Sequence, residues 1–598
     1  MNRLLLNKLP YYTRYSNQNL YKKMSSSIQI DKTLLPLNHV IIEEGSAYMI
    51  YNNKEEVFYN KVQVLNRDIS IQVIKLFSEI YMKESNDKYQ KRLLRIAAEQ
   101  SSASVSSLSS NQTSSSSSSS SNQQQNNEDI IKPISGIKVL DALAATGLRS
   151  IRYMKEIPNI SSITINDLSK EATEVALNNI KINNIDENKC IIYNKDATML
   201  MYESRGRHDQ YDVIDIDPYG SASPFLDAAV QAVTDGGLLC ITCTDTSVLC
   251  GTYPEVCYSK YGSIPLRQPY LHEGSLRILL NSIETVANKY KRYIEPWVSL
   301  SVDFYIRVFI RIHFSPSEVK LSCLKRIMIY QSLHCPTFYF ENLITKKIGN
   351  KNLKNKEHQI PNQPQNNNNN NDDHDGKDNS KHNNNGDEHN NNNNNNNNIL
   401  SKREISNNDF KFMHNKQSTS IANEILTGNG NFQAKILNIL SNCPDCNSKW
   451  RIGGPFWGQS MYNQEVVDEL LKRVEESIEI INESKDLTAT TSTTAATPAT
   501  TTTTSSAAST TSTEYTHIPT GPRLAGILAS MSEELKDVPM FYSLPELVST
   551  IQTSVTPPYD DVKSAILNAG YRVSRFHHDP HAIKTDAPST VVRLALHN

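Results

Sequence analysis

No apolar run of about 18 residues occurs anywhere in the 598-residue sequence, so no membrane-spanning helix is expected. Cysteine is sparse. The nine present are scattered, several in β-like apolar stretches such as those holding Cys240, Cys243 and Cys323, which excludes a secreted disulfide framework and points to a reducing compartment. Neither charge is in excess: 61 Lys and Arg against 63 Asp and Glu leave a formal net charge of -2. That balance neither announces nor excludes a nucleic-acid partner, because a near-neutral average can hide a basic face. The G-x-G-x-x-G turn of dinucleotide binders is missing too, which weakens a dehydrogenase-like reading.

Three stretches lack the apolar residues that would offset the entropy of ordering them. Ser101 to Asn127 is nearly all Ser, Gln and Asn; Asn362 to Asn398 is dominated by Asn, Asp and His; Leu487 to Thr513 is Thr, Ser and Ala. All three read as disordered inserts. The first thirty residues contain no acid and carry Arg3, Lys8, Arg14, Lys22 and Lys23, a composition that suits a mitochondrial targeting segment over 1–30, with a plain disordered tail as the alternative. Met24 offers a second start. Two starts would give two destinations, mitochondrion and nucleus, with the cytoplasm as a third.

What is present is an alternation of strands and helices. Ile41 to Asp68 alternates well enough for a small β segment, and Ile69 to Met82 has helical spacing, with Asp68 or Ser70 as its cap. Val139 and Leu140 form a strand, Asp141 to Thr146 a turn of small residues, and Gly147 opens a helix from Leu148 to Glu156. A strand at Ser162 to Ile165 ends in Asn166 and Asp167, and a helix covers Lys170 to Asn183. The next strand, Ile191 to Tyr193, leads to Asp196 and Ala197. The strand that begins at Tyr211 ends at Asp217, where Pro218 cannot continue a ladder. Helix Phe225 to Val233 and strand Leu238 to Thr242 complete the series.

Open α/β sheets place ligands at the carboxyl ends of their strands. An acid at the second tip, Asp167, suits the two hydroxyls of a ribose, and one at Asp196 suits an adenine amine. Acids at successive tips without a phosphate loop form the pattern of S-adenosylmethionine-dependent methyltransferases of the Rossmann-like α/β class. A nucleotide-binding module without catalysis stays open as an alternative. Asp217, Pro218 and Tyr219 add a chemical reason. An exocyclic amine on a base is a poor nucleophile, and a carboxylate and a carbonyl that accept its two N–H bonds orient its lone pair while a ring stacks on the base. The plain alternative is an Asp-Pro turn followed by Gly220. Thr242 to Gly251 follows the last strand and either lines the same crevice or packs beneath the sheet; Cys250 and Cys257 read as packing residues.

The segments FYNKVQVLNRD, DALAATGLRSIRY, NKDA, DIDPYGS, TCTDTSVLCG and AGYRVSRFHHDPHAIKTDAP together resemble the tRNA guanine-26 N2-dimethyltransferase family. The resemblance is close from Ile41 to Asp303 and patchy beyond. It implies two methyl transfers from S-adenosylmethionine to the N2 amine of a guanine in tRNA. Carried over motif by motif, it makes Arg67, Arg149, Asp167, Asp196 and Ala197 cofactor residues, and Asp217, Pro218 and Tyr219 the catalytic group. A methyltransferase acting on another nucleic-acid amine and a tRNA-binding protein without catalysis remain as alternatives. No protein partner is implied.

The domains expected are a methyltransferase domain over 31–305 and a C-terminal α+β tRNA-binding domain over 306–598. From Leu300, VDFYIRVFIRI alternates like a strand of a new sheet. Cys443 and Cys446 form a C-x-x-C turn, half of a tetrahedral zinc site. The resemblance implies an earlier C-x-x-C, but here Ser332 stands where its first cysteine is expected and only Cys335 remains. The expectation is a structural zinc held by Cys335, Cys443 and Cys446 with a remote histidine or water, because His334 and Cys335 are adjacent and cannot easily both face one ion. Near the end, helices at Pro522 to Met531, Leu544 to Gln552 and Tyr559 to Ala569, then a β-like run, suit a helix-turn-helix unit with a wing. Arg572, Arg575, Phe576, His577, His578, His581 and Lys584 there suit a phosphate and base surface.

Overall fold

The computed structural model describes residues 39–52, 59–107, 133–346, 432–435, 441–491, 517–552 and 555–596. The expected targeting segment and the insert at 362–398 lie outside them. The chain divides into a unit comprising 1–344 with 435–598, and a second unit, 345–434.

A hairpin of β1 (His39–Glu44) and β2 (Ala47–Asn52) opens the described chain. It is followed by α1 (Gln63–Ser107), which corrects three expectations. VQVLNRD is not β structure but the first turns of this helix, and Asp68 and Ser70 lie inside it and do not cap it. The pattern misleads because the helix is buried all round here: Leu65, Ile69, Val73 and Phe77 are at most 1% exposed, and so are Asn66, Asp68 and Ser70. The helix also continues through Ser101 to Ser107, so the first insert begins later than its composition suggests.

The central sheet is built from β3 (Ile137–Asp141), α2 (Leu148–Glu156), β4 (Ile160–Asn166), α3 (Lys170–Ile182), β5 (Cys190–Tyr193), α4 (Ala197–Glu203), β6 (Tyr211–Ile216), α5 (Leu226–Ala232) and β7 (Val233–Cys243). Two short helices, α6 (Thr246–Leu249) and α7 (Pro254–Tyr261), and a long one, α8 (Leu271–Lys289), lead to β8 (Arg292–Val302) and β9 (Tyr305–Phe314). The strand order is β5-β4-β3-β6-β7-β9-β8, with β3 to β7 parallel and β9 antiparallel to both neighbours. This is the Rossmann-like methyltransferase arrangement expected. The chain reverses direction across the sheet between β3 and β6, the switch point where such sheets open a crevice.

The run from Leu300 does not start a new sheet. It is the end of β8 and most of β9, and a boundary at 305 would cut this hairpin. The strand is buried on both faces from Tyr305 to Ile312, as a strand inside the central sheet must be. The C-terminal half is likewise not separate: 435–598 belongs to the same unit as the sheet.

After α9 (Pro316–Leu321), strands β10 (Arg326–Ser332) and β11 (Phe338–Asn342) precede β12 (Ile344–Lys346) and β13 (Phe432–Ala434), the latter two forming a small sheet of their own. Strand β14 (Trp450–Trp457) pairs with β10 in a three-stranded sheet, β11-β10-β14. Helix α10 (Gln464–Thr491) runs into the third expected insert, so 487–491 are helical. The end of the chain holds α11 (Gly521–Ser532), β15 (Tyr542–Ser543), α12 (Leu544–Ile551), α13 (Tyr559–Asn568), β16 (Val573–Phe576), β17 (Asp579–Thr585) and α14 (Ser589–Leu594), with sheet order β15-β17-β16. Three helices followed by a β-hairpin is the element order expected of this stretch.

Its expected basic face is only partly at the surface. Lys584 is fully buried, donating to Glu273 of α8 at 2.7 Å, and Phe576 is 1% exposed. The His577 ring is covered and lies 3.1 Å from Glu534, and Arg572 is paired with Asp537 and Asp586. Arg572, despite its two carboxylate partners, Arg575, over the Tyr559 ring, and His581 are the exposed members, and His578 is half-buried with Nδ1 3.0 Å from the Ser301 carbonyl. Alternation in RVSRFHH and DPHAIKT marks these as strands, and one face of a strand must be buried.

Candidate active site

The site is organised by two acids on one face of β6 and the residue after it. Asp215 is 1% exposed and receives Arg307 Nη1 and Nη2 at 3.0 and 2.7 Å, Arg149 Nη1 at 3.3 Å and the Tyr153 hydroxyl at 2.6 Å. Burial pushes its carboxyl up, but Arg149 and Arg307 outweigh burial and hold it below the ordinary range. Asp217, two residues on, is half-buried at the lip of the crevice. Arg149 Nη2 binds its Oδ2, while Oδ1 has no protein donor among the described residues. Arg149, 7% exposed, has its donors on Asn66, Ser70, Tyr153, Asp215 and Asp217.

The loop after Asp217 is pinned. Gly220 has φ 86°, a left-handed conformation that favours glycine, and exchanges two bonds with Thr244: Gly220 N to Thr244 Oγ1 at 2.7 Å and Thr244 N to Gly220 O at 2.8 Å. Pro218 is buried, whereas Tyr219 is 81% exposed. Thr244 thus gives the stretch after β7 a direct role at the site. Cys250 and Cys257 are pushed up to about 11 and about 12 by burial, as packing thiols are.

Around the crevice, Asp167 follows β4 and accepts from Ala145 N at 2.8 Å and Ser169 N at 2.9 Å. It holds the turn after β3, where Ala145 has φ 48° and Gly147 has φ 79°. A side chain at Gly147 would have its Cβ 3.1 Å from that of Ala176, so α2 and α3 approach closely only because glycine stands there. Asp196, exposed, caps α4 by accepting from Met199 N at 3.0 Å, and buried Ala197 begins that helix. Asp141, ending β3, is 2% exposed and pushed up to about 7 by burial, with Asp215 adding to the rise. Arg67 sits apart. Its guanidinium grips Glu44 through Nε at 2.6 Å and Nη2 at 2.5 Å, in a cluster with Arg152 and Asp68 that ties the β1–β2 hairpin to α1 and α2.

Sequence reasoning missed Asp215 and Arg307. A signal existed: Asp215 shares a strand face with Asp217, and Arg307 and Arg311 lie on a strand apolar enough to be buried, where each needs a counter-charge.

A second cluster lies between β10, β11 and the turn before β14. The sulfurs of Cys335, Cys443 and Cys446 are within 4.8 Å of one another, which suits three thiolate ligands of a tetrahedral zinc. Ser332 Oγ, 3.2 Å from Cys335 Sγ and 3.1 Å from Cys446 Sγ, occupies the fourth corner, while His334 is exposed outside the cluster. Asp445, within the turn, accepts from Ser589 of α14 at 2.8 Å, so the cluster braces the C-terminal part. Since a hydroxyl is a weak zinc ligand, Ser332→Cys is expected to raise zinc affinity at least about tenfold, measured by competition with a chromophoric chelator, and to leave S-adenosylmethionine affinity unchanged. Equal zinc affinity in the two proteins would show that the fourth corner does not face the metal.

The geometry has relatives. A family model described as N2,N2-dimethylguanosine tRNA methyltransferase matches residues 38–499 and 496–597. A Mus musculus protein named tRNA (guanine(26)-N(2))-dimethyltransferase is 31% identical over 92% of this chain, which spans 65% of the mouse protein's length. A Saccharomyces cerevisiae relative of the same name, designated mitochondrial, is 29% identical over 92% of this chain and 77% of its own. Among solved structures, Trm1 from Pyrococcus horikoshii with S-adenosyl-L-methionine superposes with a TM-score of 0.55 at 20% identity, covering 93% of this chain and 99% of that one, which establishes a shared fold. With strand tips, pinned DPYG loop and C-terminal wing all in one unit that the family model spans nearly end to end, the chain belongs to the N2,N2-dimethylguanosine tRNA methyltransferase family.

Proposed function

We propose that this chain transfers methyl groups from S-adenosylmethionine to the exocyclic N2 amine of guanine 26 in tRNA, in two rounds, giving N2,N2-dimethylguanosine. The observation that carries the reading is half-buried Asp217: one carboxylate oxygen is bound by Arg149 and the other receives no donor among the described residues. Bound S-adenosylmethionine supplies an electrophilic methyl group, and Asp167, Asp196 and Ala197 are the residues whose positions fit its adenosine. The donor set suits it, because acids at the tips of β4 and β5 offer acceptors for hydroxyls and an amine where a phosphate loop would offer N–H donors.

Asp217 Oδ1 accepts one N–H of the guanine amine and the Pro218 carbonyl accepts the other, which turns the nitrogen lone pair out of the ring plane. Tyr219 stacks on the base. As the N–CH3 bond forms, Asp217 Oδ1 is placed to take the released proton. Each round consumes one N–H. The dimethylated amine has none left to give Asp217 or Pro218, so product contact weakens when the reaction is complete.

Among the described residues no helix is long and apolar enough to cross a membrane. One relative's mitochondrial designation and the acid-free first thirty residues support a mitochondrial pool. The direct test of the activity is mass spectrometry of nucleosides from unmodified tRNA incubated with purified protein and S-adenosylmethionine. Dimethylguanosine is expected at position 26. Binding of tRNA without new methylguanosine would leave a binding protein.

A further inference from the structure

Exposed large aromatic side chains are few among the described residues and are unevenly placed. Tyr219, Tyr253, Tyr258 and Phe304, at 81%, 50%, 61% and 43% exposure, all stand on connections at the carboxyl edge of the central sheet; Phe314, at the far end of β9, is the exception. Tyr253 and Tyr258 lie at the start of α7 and within it, after β7. Phe304 forms the β8–β9 turn beside Asp303, whose φ is 51°. Register puts that turn at the same edge, because Ile306 pairs with Cys243, the last residue of β7.

Helix α7 is fastened to the catalytic loop. The Tyr261 and Ser221 hydroxyls are 2.6 Å apart, and Ser223 Oγ donates to the Lys260 carbonyl at 2.6 Å. Its exposed rings are therefore held at a fixed distance from Asp217. Arg267, exposed just beyond α7, adds positive charge to this rim. A guanine whose N2 edge must meet Asp217 leaves its stack, and its neighbours then lose a stacking partner that aromatic side chains can replace.

We propose that Tyr253, Tyr258 and Phe304 are base-stacking contacts for the nucleotides flanking the target guanine, so that this edge binds its RNA as a locally unstacked strand. The assignment rests on the methyl-transfer reading of the Asp217 site. It differs from the role of Tyr219, which meets the target base itself.

The test uses the full chain and tRNA carrying 2-aminopurine beside the target guanine. Wild-type protein is expected to quench the probe. Tyr253→Ala, Tyr258→Ala and Phe304→Ala should each raise KM for tRNA about tenfold and reduce the quenching, with S-adenosylmethionine affinity unchanged. Tyr253→Phe, Tyr258→Phe and Phe304→Tyr should restore both, because the ring carries the contact. Wild-type KM and quenching in all three alanine variants would overturn the proposal, as would failure of the ring-conserving variants to rescue. A wild-type protein that quenches the probe but transfers no methyl would remove the enzyme reading and leave the stacking surface. One that methylates with no quenching at either flank would remove the stacking alone.

Discussion

Asp217→Ala is expected to cut methyl transfer by about 10^2- to 10^4-fold while the Kd for S-adenosylmethionine moves less than about twofold. On the proposed reading the carboxylate acts on the substrate amine, whereas the groups assigned to the donor follow β4 and β5. The variant should also fold. Arg149 keeps Asp215, Asn66 and Ser70 as acceptors after Asp217 is gone, so no buried charge is left alone. Asp217→Asn should be nearly as inactive, since an amide oxygen can accept the N–H but cannot take the proton. Calorimetry for the donor and nucleoside mass spectrometry for the product separate the two functions. A variant that methylates at close to the wild-type rate would take Asp217 out of the mechanism.

Arg307→Met attacks the same site from beneath and should act first on stability. Arg307 is 0% exposed and supplies Asp215 with its two shortest arginine bonds, and it also donates to Thr242 and Ser70. Removing one partner of a buried pair leaves the other uncompensated, a loss of about 3–5 kcal/mol. Activity should fall as well, because Arg149 is then drawn toward Asp215 and holds Asp217 less firmly. Urea unfolding gives the first quantity and turnover at a temperature where the variant is folded gives the second. A loss below about 1 kcal/mol would mean that Arg149 alone satisfies Asp215. In the double variant with Asp215→Leu, stability should recover in part, since both charges are gone, whereas activity should not.

The alternation of strands and helices was readable because each parallel strand from β3 to β7 carries an apolar core and ends in a polar tip, and those tips are the crevice. Asp167, Asp196 and Asp217 could be named on that ground alone. Arg67 and Arg149 needed family resemblance, because nothing local distinguishes a buried arginine on a helix from an exposed one. Both are interior, committed to Glu44 and to Asp217. The start of α1 was misread because polar residues with partners on every side imitate the alternation of a strand. The basic terminal run was misread for the opposite reason: Lys584 carries the charge of a surface residue, but Glu273 and Glu534, distant in sequence, enclose it. The domain boundary failed where a strand returns to an existing sheet, since pairing partners remote in sequence leave no periodic trace.

The enclosure of Lys584 also bears on how the molecule can be taken apart. Glu273 in α8 accepts from Arg277 of its own helix, from Lys584 in the wing and from the Met540 amide, while Asp68 in α1 accepts from the Thr520 amide and hydroxyl just before α11. A fragment ending near residue 305 would strip these carboxylates of partners and expose the seams they close, and the complementary fragment would carry a lysine with nowhere to put its charge. The sheet and the C-terminal part of this unit are therefore expected to unfold in one cooperative transition, and neither is expected to fold as a fragment alone.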